Sequence, residues 1–267
     1  MDISVLGCGW LGFPLAKRLI EEGHIVKGST TRREKMKMLT DEGITPYQIK
    51  LFEEGVQGDL SAFLDGSELL IINIPPGLRK DPTENYIAKI GRLNDYSEKA
   101  HVKQVIFVSS TSVYEDTKEF PVYTEEDEPN GTAKNSVQLQ GAEKVIKNSA
   151  NFSSTIIRFG GLIGTERHPV KFLSGKKDIK NPEAPVNLIA LQDCIGIILK
   201  VIENKAWGET FNAVFPEHPS KIEYYQKLAS DKKLPLPDFD KTTDSKGKII
   251  DSVKVEELRY TFQQGIY

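Results

Sequence analysis

Gly7, Gly9 and Gly12 stand between a short apolar run at residues 3–6 and a periodic apolar segment carrying Leu11, Leu15, Leu19 and Ile20. In a strand–turn–helix unit, three glycines so spaced seat a pyrophosphate. The first allows a tight turn, the second brings bare backbone up to the phosphates, and the third lets helix and strand pack closely. The phosphates then rest on free amides at the helix N-terminus, where the macrodipole favours negative charge. Gly7, Cys8, Gly9, Trp10, Leu11 and Gly12 are therefore candidate dinucleotide contacts. Pro14 suits a first helical turn, where a missing N–H costs little.

The second expected strand, residues 24–28, runs into Ser29, Thr30, Thr31, Arg32 and Arg33, and the first acid is Glu34. A site for NAD places Asp or Glu here to accept from the ribose 2′-hydroxyl, whereas hydroxyls and arginine suit a 2′-phosphate. Thr30, Thr31, Arg32 and Arg33 thus favour NADP over NAD, against the alternative that the arginines simply face solvent. The run ELLIINI at 68–74 is apolar without alternation, as in a parallel strand covered on both faces. Asn73, Ile74 and Pro75 follow at its carboxyl end, the edge where doubly wound sheets bind ligands.

These segments need a scaffold. Asp81, Pro82 and Glu84 predict a helix start and a helix to about residue 100; QVIFV at 104–108 is the next buried strand, ending in Ser109-Ser110-Thr111-Ser112-Val113-Tyr114. Strands alternating with helices imply an α/β fold with a doubly wound parallel sheet of the Rossmann, NAD(P)-binding kind. The chain of 267 residues has a net charge of −3, so it lacks the basic footprint of a nucleic-acid or membrane-surface binder. No apolar run nears the roughly 20 residues of a membrane span. The first strand begins at once, with no leader pattern, and a cytoplasmic protein is expected. Two cysteines and four scattered histidines offer no metal-ligand spacing, so no metal is expected.

GCGWLG after the first strand, Gly58-Asp59-Leu60, and above all SSTSVY after VIFV resemble the extended short-chain dehydrogenase/reductases of the NAD-dependent epimerase/dehydratase family. RFGGLIG at 158–164, VNLIALQD at 186–193 and GETFNA at 208–213 follow in the family's order, though the first motif has one residue fewer between its first two glycines, which suggests an atypical subgroup. The resemblance adds Asp59 and Leu60 to the cofactor contacts. It also implies a nucleotide-binding domain over 1–164 and 185–213, with a small C-terminal substrate cap from 165–184 and 214–267.

Family members carry a serine after that strand and, later, a Tyr-x-x-x-Lys pair one helical turn apart. The lysine holds the ribose and lowers the tyrosine pKa, the tyrosine exchanges a proton with substrate, and the serine orients the substrate oxygen. Ser110 matches the serine, with Ser109 and Thr111 beside it. Asn135 falls on the tyrosine and Leu139 on the lysine, and neither side chain can do that work. A spare Tyr-x-x-x-Lys runs from Tyr114 to Lys118 in a polar loop, and Tyr123, Lys134 and Lys144 are further substitutes that sequence cannot place. Arg167, His168 and Lys171, in a basic segment, could contact a substrate anion. The expectation is an NADP(H)-dependent oxidoreductase or epimerase/dehydratase-like enzyme for a hydroxylated small molecule, such as a nucleotide sugar, acting as monomer or homodimer. The rival is a catalytically silent protein that senses the cofactor's redox state.

Overall fold

The computed structural model describes residues 1–78 and 81–267. Seven strands form the central sheet: β1 (Asp2–Leu6), β2 (Ile25–Thr30), β3 (Thr45–Gln48), β4 (Leu69–Ile72), β5 (Gln104–Ser110), β6 (Ser153–Phe159) and β7 (Thr210–Ala213). Their spatial order is β7-β6-β5-β4-β1-β2-β3, and β1 pairs in parallel with both β2 and β4. The order reverses between β1 and β4, and the carboxyl ends of strands at such a switch point border a ligand crevice in doubly wound sheets. This is the architecture expected from the alternating strands and helices.

Burial explains why the strands read as they do. All four residues of β4, LLII, are buried, so both faces are covered and no polar alternation is possible. Helix α1 (Gly12–Glu21) buries Leu15, Ala16 and Leu19, one stripe of a 3.6-residue period. Removing each leucine from water contributes about 2 kcal/mol, which makes this stripe a main anchor of the glycine-rich turn before it.

Helix α2 (Met36–Asp41) follows a single 3₁₀ turn at Arg33–Lys35. Helix α3 (Leu60–Leu64) follows Gly58, whose φ of +98° brings it so close to the Gln48 carbonyl that a Cβ would lie 1.9 Å from that oxygen. Helix α4 (Tyr86–Lys99) starts five residues after the expected cap, because its N-cap is Asn85, which accepts from the Ala88 amide. Asp81 instead accepts from the Thr83 amide and hydroxyl, and Glu84 pairs with Lys89. Helix α5 (Lys134–Lys147) packs on α4 where Gly141 leaves room for Ile87; a Cβ at Gly141 would stand 2.2 Å from the Ile87 Cδ1.

The chain divides into two compact units, the first comprising 1–110, 133–157 and 198–210, the second 111–132, 158–197 and 211–267. The second has its own core, in which Val170, Val186, Leu188, Tyr224, Leu228 and Ile266 are buried together. It contains the short helix α6 (Pro169–Leu173), most of helix α7 (Leu191–Glu203), helix α8 (Lys221–Asp231) and helix α9 (Val253–Glu257). Helix α8 opens on a capping box made by Ser220 and Glu223.

Candidate functional site

Because β1, β2, β4 and β5 run parallel, the residues that follow them line one edge of the sheet in the first unit. Leu6 stands beside Ile72, and Ile72 beside Phe107, so Gly7, Asn73 and the Ser109–Ser110 end of β5 share that edge. Gly7 takes a φ of +102°, and a Cβ there would lie 2.5 Å from the Asn73 carbonyl oxygen. Its amide donates to Ser29 Oγ at 2.9 Å, the Cys8 amide donates to the Ser29 carbonyl at 2.8 Å, and Asn73 Nδ2 donates to the Gly7 carbonyl at 3.0 Å. The turn is thereby tied to the ends of β2 and β4.

The three glycines do different work. Gly12 is enclosed by protein, since a Cβ would lie 2.2 Å from the Gly7 carbonyl oxygen. Gly9 is exposed, and a Cβ there would meet nothing within 4 Å. The space over Gly9 is therefore open to a ligand while its neighbours are closed. Beside it, the Leu11 and Gly12 amides donate to no acceptor among the described residues, leaving donors at the start of α1 where an anion is favoured. A pyrophosphate fits this arrangement. Trp10 is half-buried next to it, and Leu11 is buried. Cys8 is packed under the turn, and burial pushes its thiol up to about 12, so it is no nucleophile at neutral pH.

At the end of β2, Thr30 is buried and its hydroxyl accepts from the Arg32 amide at 3.2 Å, while Thr31, Arg32 and Arg33 are exposed. Arg32 Nε lies 3.8 Å from Glu34, a surface pair worth less than about 1 kcal/mol and easily exchanged for a phosphate. Asp59 caps α3 by accepting from the Ala62 amide at 2.8 Å, and Leu60 is buried. After β4, the Ile74 carbonyl accepts from the fully buried Tyr86 hydroxyl at 2.8 Å, and Pro75 is exposed. Ser29 and Tyr86 thus shape the edge although sequence reasoning did not assign them. Ser29 was legible only as a small polar residue at a strand end, and Tyr86 carried no signal beyond its place in an apolar stripe.

The catalytic candidates split between the units. In the first, Ser109 is buried and its hydroxyl donates to the buried Glu143 carboxylate at 2.6 Å, while Ser110 is half-buried at the strand end. Asn135 is exposed in the first turn of α5; Leu139, one turn on, is only 4% exposed and belongs to the helix's core face with Ala142 and Ile146. Lys134 donates to the Pro82 carbonyl, and Lys144 is exposed. Glu143, which sequence reasoning did not assign, is the partner that holds Ser109.

Tyr114 lies in the second unit, fully enclosed. Its hydroxyl sits 2.9 Å from the Thr124 carbonyl and 3.2 Å from Asn212 Oδ1, and it accepts from Arg158 Nη1 at 2.6 Å. Its ring stacks on Tyr123 with centroids 4.7 Å apart. Lys118 pairs with Asp244 at 2.5 Å instead of with Tyr114. A hydroxyl so occupied is a pillar of its unit, which takes Tyr114 and the Tyr114–Lys118 spacing out of the proton-transfer candidates. Thr111 is buried in the same unit.

Among the basic residues, Arg167 is exposed and Lys171 lies 3.8 Å from Glu166. His168 turns inward: Nδ1 accepts from the Val170 amide at 3.2 Å, and Nε2 lies 3.0 Å from the Tyr224 hydroxyl, which itself donates to the Ile266 carbonyl. The donors therefore place the ring proton on Nε2. Burial, reinforced by Lys232 and Lys171, lowers the imidazole to about 4, so it is neutral at physiological pH and has no charge to offer an anion. A separate cavity of about 730 Å³ opens in this unit between Lys118, Phe120, Glu183, Gln226 and Lys241. Among the described residues no group of three or more His, Cys, Asp or Glu is placed to hold a metal ion, and no helix is long and apolar enough to cross a membrane.

Comparison with known proteins agrees with the geometry. A family model described as NAD(P)H-binding matches residues 7–193. Protein YeeZ of Escherichia coli strain K12 is 33% identical over 266 residues, covering 98% of this chain and 95% of that protein. The fold is similar to UDP-glucuronic acid 4-epimerase from Bacillus cereus in complex with NAD (TM-score 0.80, 17% identity, 99% of this chain and 92% of that one). It is also similar to the human epimerase family protein SDR39U1 with NADPH (TM-score 0.73, 15% identity, 98% of this chain and 95% of that one). At such identities the two structures speak for the fold alone.

Proposed function

The chain belongs to the NAD(P)H-binding family, and from that premise we propose that its first unit seats NADP(H) and that the protein is a short-chain dehydrogenase/reductase-like oxidoreductase or epimerase/dehydratase for a hydroxylated small molecule, a nucleotide sugar among the candidates. The observation that carries the reading is the open face of Gly9 beside the two undonated amides of Leu11 and Gly12. Around it, Gly7 and Gly12 shape the turn for the pyrophosphate, and Asp59, Leu60, Asn73, Ile74 and Pro75 border the nucleotide. Thr31, Arg32 and Arg33 receive the 2′-phosphate, Arg32 giving up a weak surface pair to do so. When bound, the nicotinamide supplies the hydride chemistry.

The chain's own part is to hold the substrate and its proton. Ser110 orients the substrate hydroxyl, and Ser109 keeps the strand end in place through Glu143. Thr111, at the end of β5, and Arg167 and Lys171, in a smaller cap formed by 165–184 and 214–267, are the substrate-side candidates. The protein works in the cytoplasm as a monomer or homodimer.

A second reading, a silent redox sensor, is favoured by one observation: the exposed Asn135 and the buried Leu139 leave neither a titratable proton nor an ammonium where the family keeps them. Fluorescence titration tests the shared premise. NADPH should bind roughly tenfold tighter than NADH, and Arg32→Ala should erase the difference. A preference for NADH, or an unchanged NADPH affinity in Arg32→Ala, retires the NADP assignment. Turnover of bound NADPH with a panel of nucleotide sugars and small carbonyls then separates enzyme from sensor.

A further inference from the structure

The chain has a net charge of −3, yet one face of its second unit is basic and carries two protruding apolar side chains. Phe172 is 72% exposed and Leu236 is 56% exposed. They belong to one surface, because Ser174 Oγ and the Gly175 amide each donate to the Pro235 carbonyl at 3.1 Å, and the Asp238 amide donates to the Lys176 carbonyl at 2.8 Å. Lys176 Nζ stands 3.2 Å from the centre of the Phe172 ring. Lys177, Lys232 and Lys233 are exposed on the same two segments, and none of these four ammonium groups pairs with a carboxylate among the described residues. The nearby acids Glu166 and Asp231 are already engaged by Lys171 and Lys227.

We infer that this face docks a protein segment rich in Asp or Glu that also carries an apolar side chain. Unpaired lysines around two large exposed apolar side chains give it both halves of such an interface: charges that steer an acidic partner and a hydrophobic centre that water leaves on binding. The same cations could attract a phosphate or an anionic bilayer, and two features favour the peptide. The cations are all flexible lysines, with no guanidinium fork or cluster of amides to grip one phosphate. Asp178 and Asp238 are exposed on the same two segments, where a uniformly anionic sheet repels them but a segment with spaced charges can leave them unopposed. The inference is independent of the nucleotide seat.

The probe is a fluorescein-labelled peptide in which glutamates alternate with leucine and tryptophan, titrated with the full chain and read by anisotropy. It should bind with micromolar affinity, more weakly as salt is raised. Affinity should fall roughly tenfold or more in the double variant Lys176→Glu/Lys177→Glu, and similarly in Phe172→Ser. Melting temperature and NADPH affinity should hold in both, since every altered side chain is exposed. Absence of peptide binding overturns the inference, as does equal affinity in the variants. Tighter binding to phosphatidylserine vesicles than to the peptide, or self-association of the chain that the same variants abolish, overturns it in favour of a membrane or a second copy.

Discussion

The glycine-rich turn at residues 7–12 and the first half of α5 lie in the same unit and answer opposite demands. In the turn, Gly7 and Gly12 are closed off by backbone and Ser29 and Asn73 hold the loop, while Gly9 is left open beside the Leu11 and Gly12 amides, which donate to no acceptor among the described residues. In α5, Leu139 is part of the core and Asn135 faces solvent. A phosphate seat is made of main chain and of side chains left out, so it persists while the rest of a site changes. Proton transfer depends on particular functional groups, so a change of one or two side chains is enough to remove it.

The largest effect should come from challenging the turn in two ways. Gly12→Ala forces a Cβ to within 2.2 Å of the Gly7 carbonyl oxygen, and calorimetry should show a loss of about 3 kcal/mol together with loss of NADPH binding. Gly9→Val meets open space, so it should melt near the unaltered protein while NADPH affinity drops roughly a hundredfold. If Gly9→Val binds NADPH normally, the contrast between closed and open glycines is broken.

A smaller effect sharpens the comparison at β5. Ser109→Ala removes a hydrogen bond to a buried carboxylate and should cost about 2 kcal/mol in urea unfolding. A loss of under about 0.5 kcal/mol would mean that Glu143 does not hold Ser109 in the way its 2.6 Å contact implies.

The smallest effect concerns His168. Its folded value of about 4 lies below the ordinary histidine value of 6.5, so the unfolded chain binds the proton more readily. The contribution is fully present above pH 6.5 and is lost as pH falls through 6.5 toward 4. Allowing for solvent screening at this half-buried ring, thermal melts should lose on the order of 1 kcal/mol across that window, and His168→Gln should flatten the dependence. An equal slope in both proteins would show that the segment is held by something other than this imidazole.

The parts legible in the sequence were those set by local pattern. LLII reads as a doubly covered strand because no polar alternation interrupts it, and Ser220 with Glu223 reads as a cap because both partners lie within one turn. The start of α4 was misread because Asp81, Pro82 and Glu84 form the same signature while their side chains go to Thr83 and Lys89. His168 looked like an anion contact because its partners, Tyr224 and the Ile266 carbonyl, are far away in the chain. Tyr114 was hidden in the same way, since Arg158 and Asn212 only meet it in the folded unit.

Ser29 receives the Gly7 amide on its side chain and the Cys8 amide on its carbonyl, so the turn is held in shape by the protein's own hydrogen bonds. A dinucleotide bound there, as proposed, would give up its own freedom and very little of the protein's. Association should therefore be fast and nearly independent of loop rearrangement, in the manner of a key entering a lock already cut.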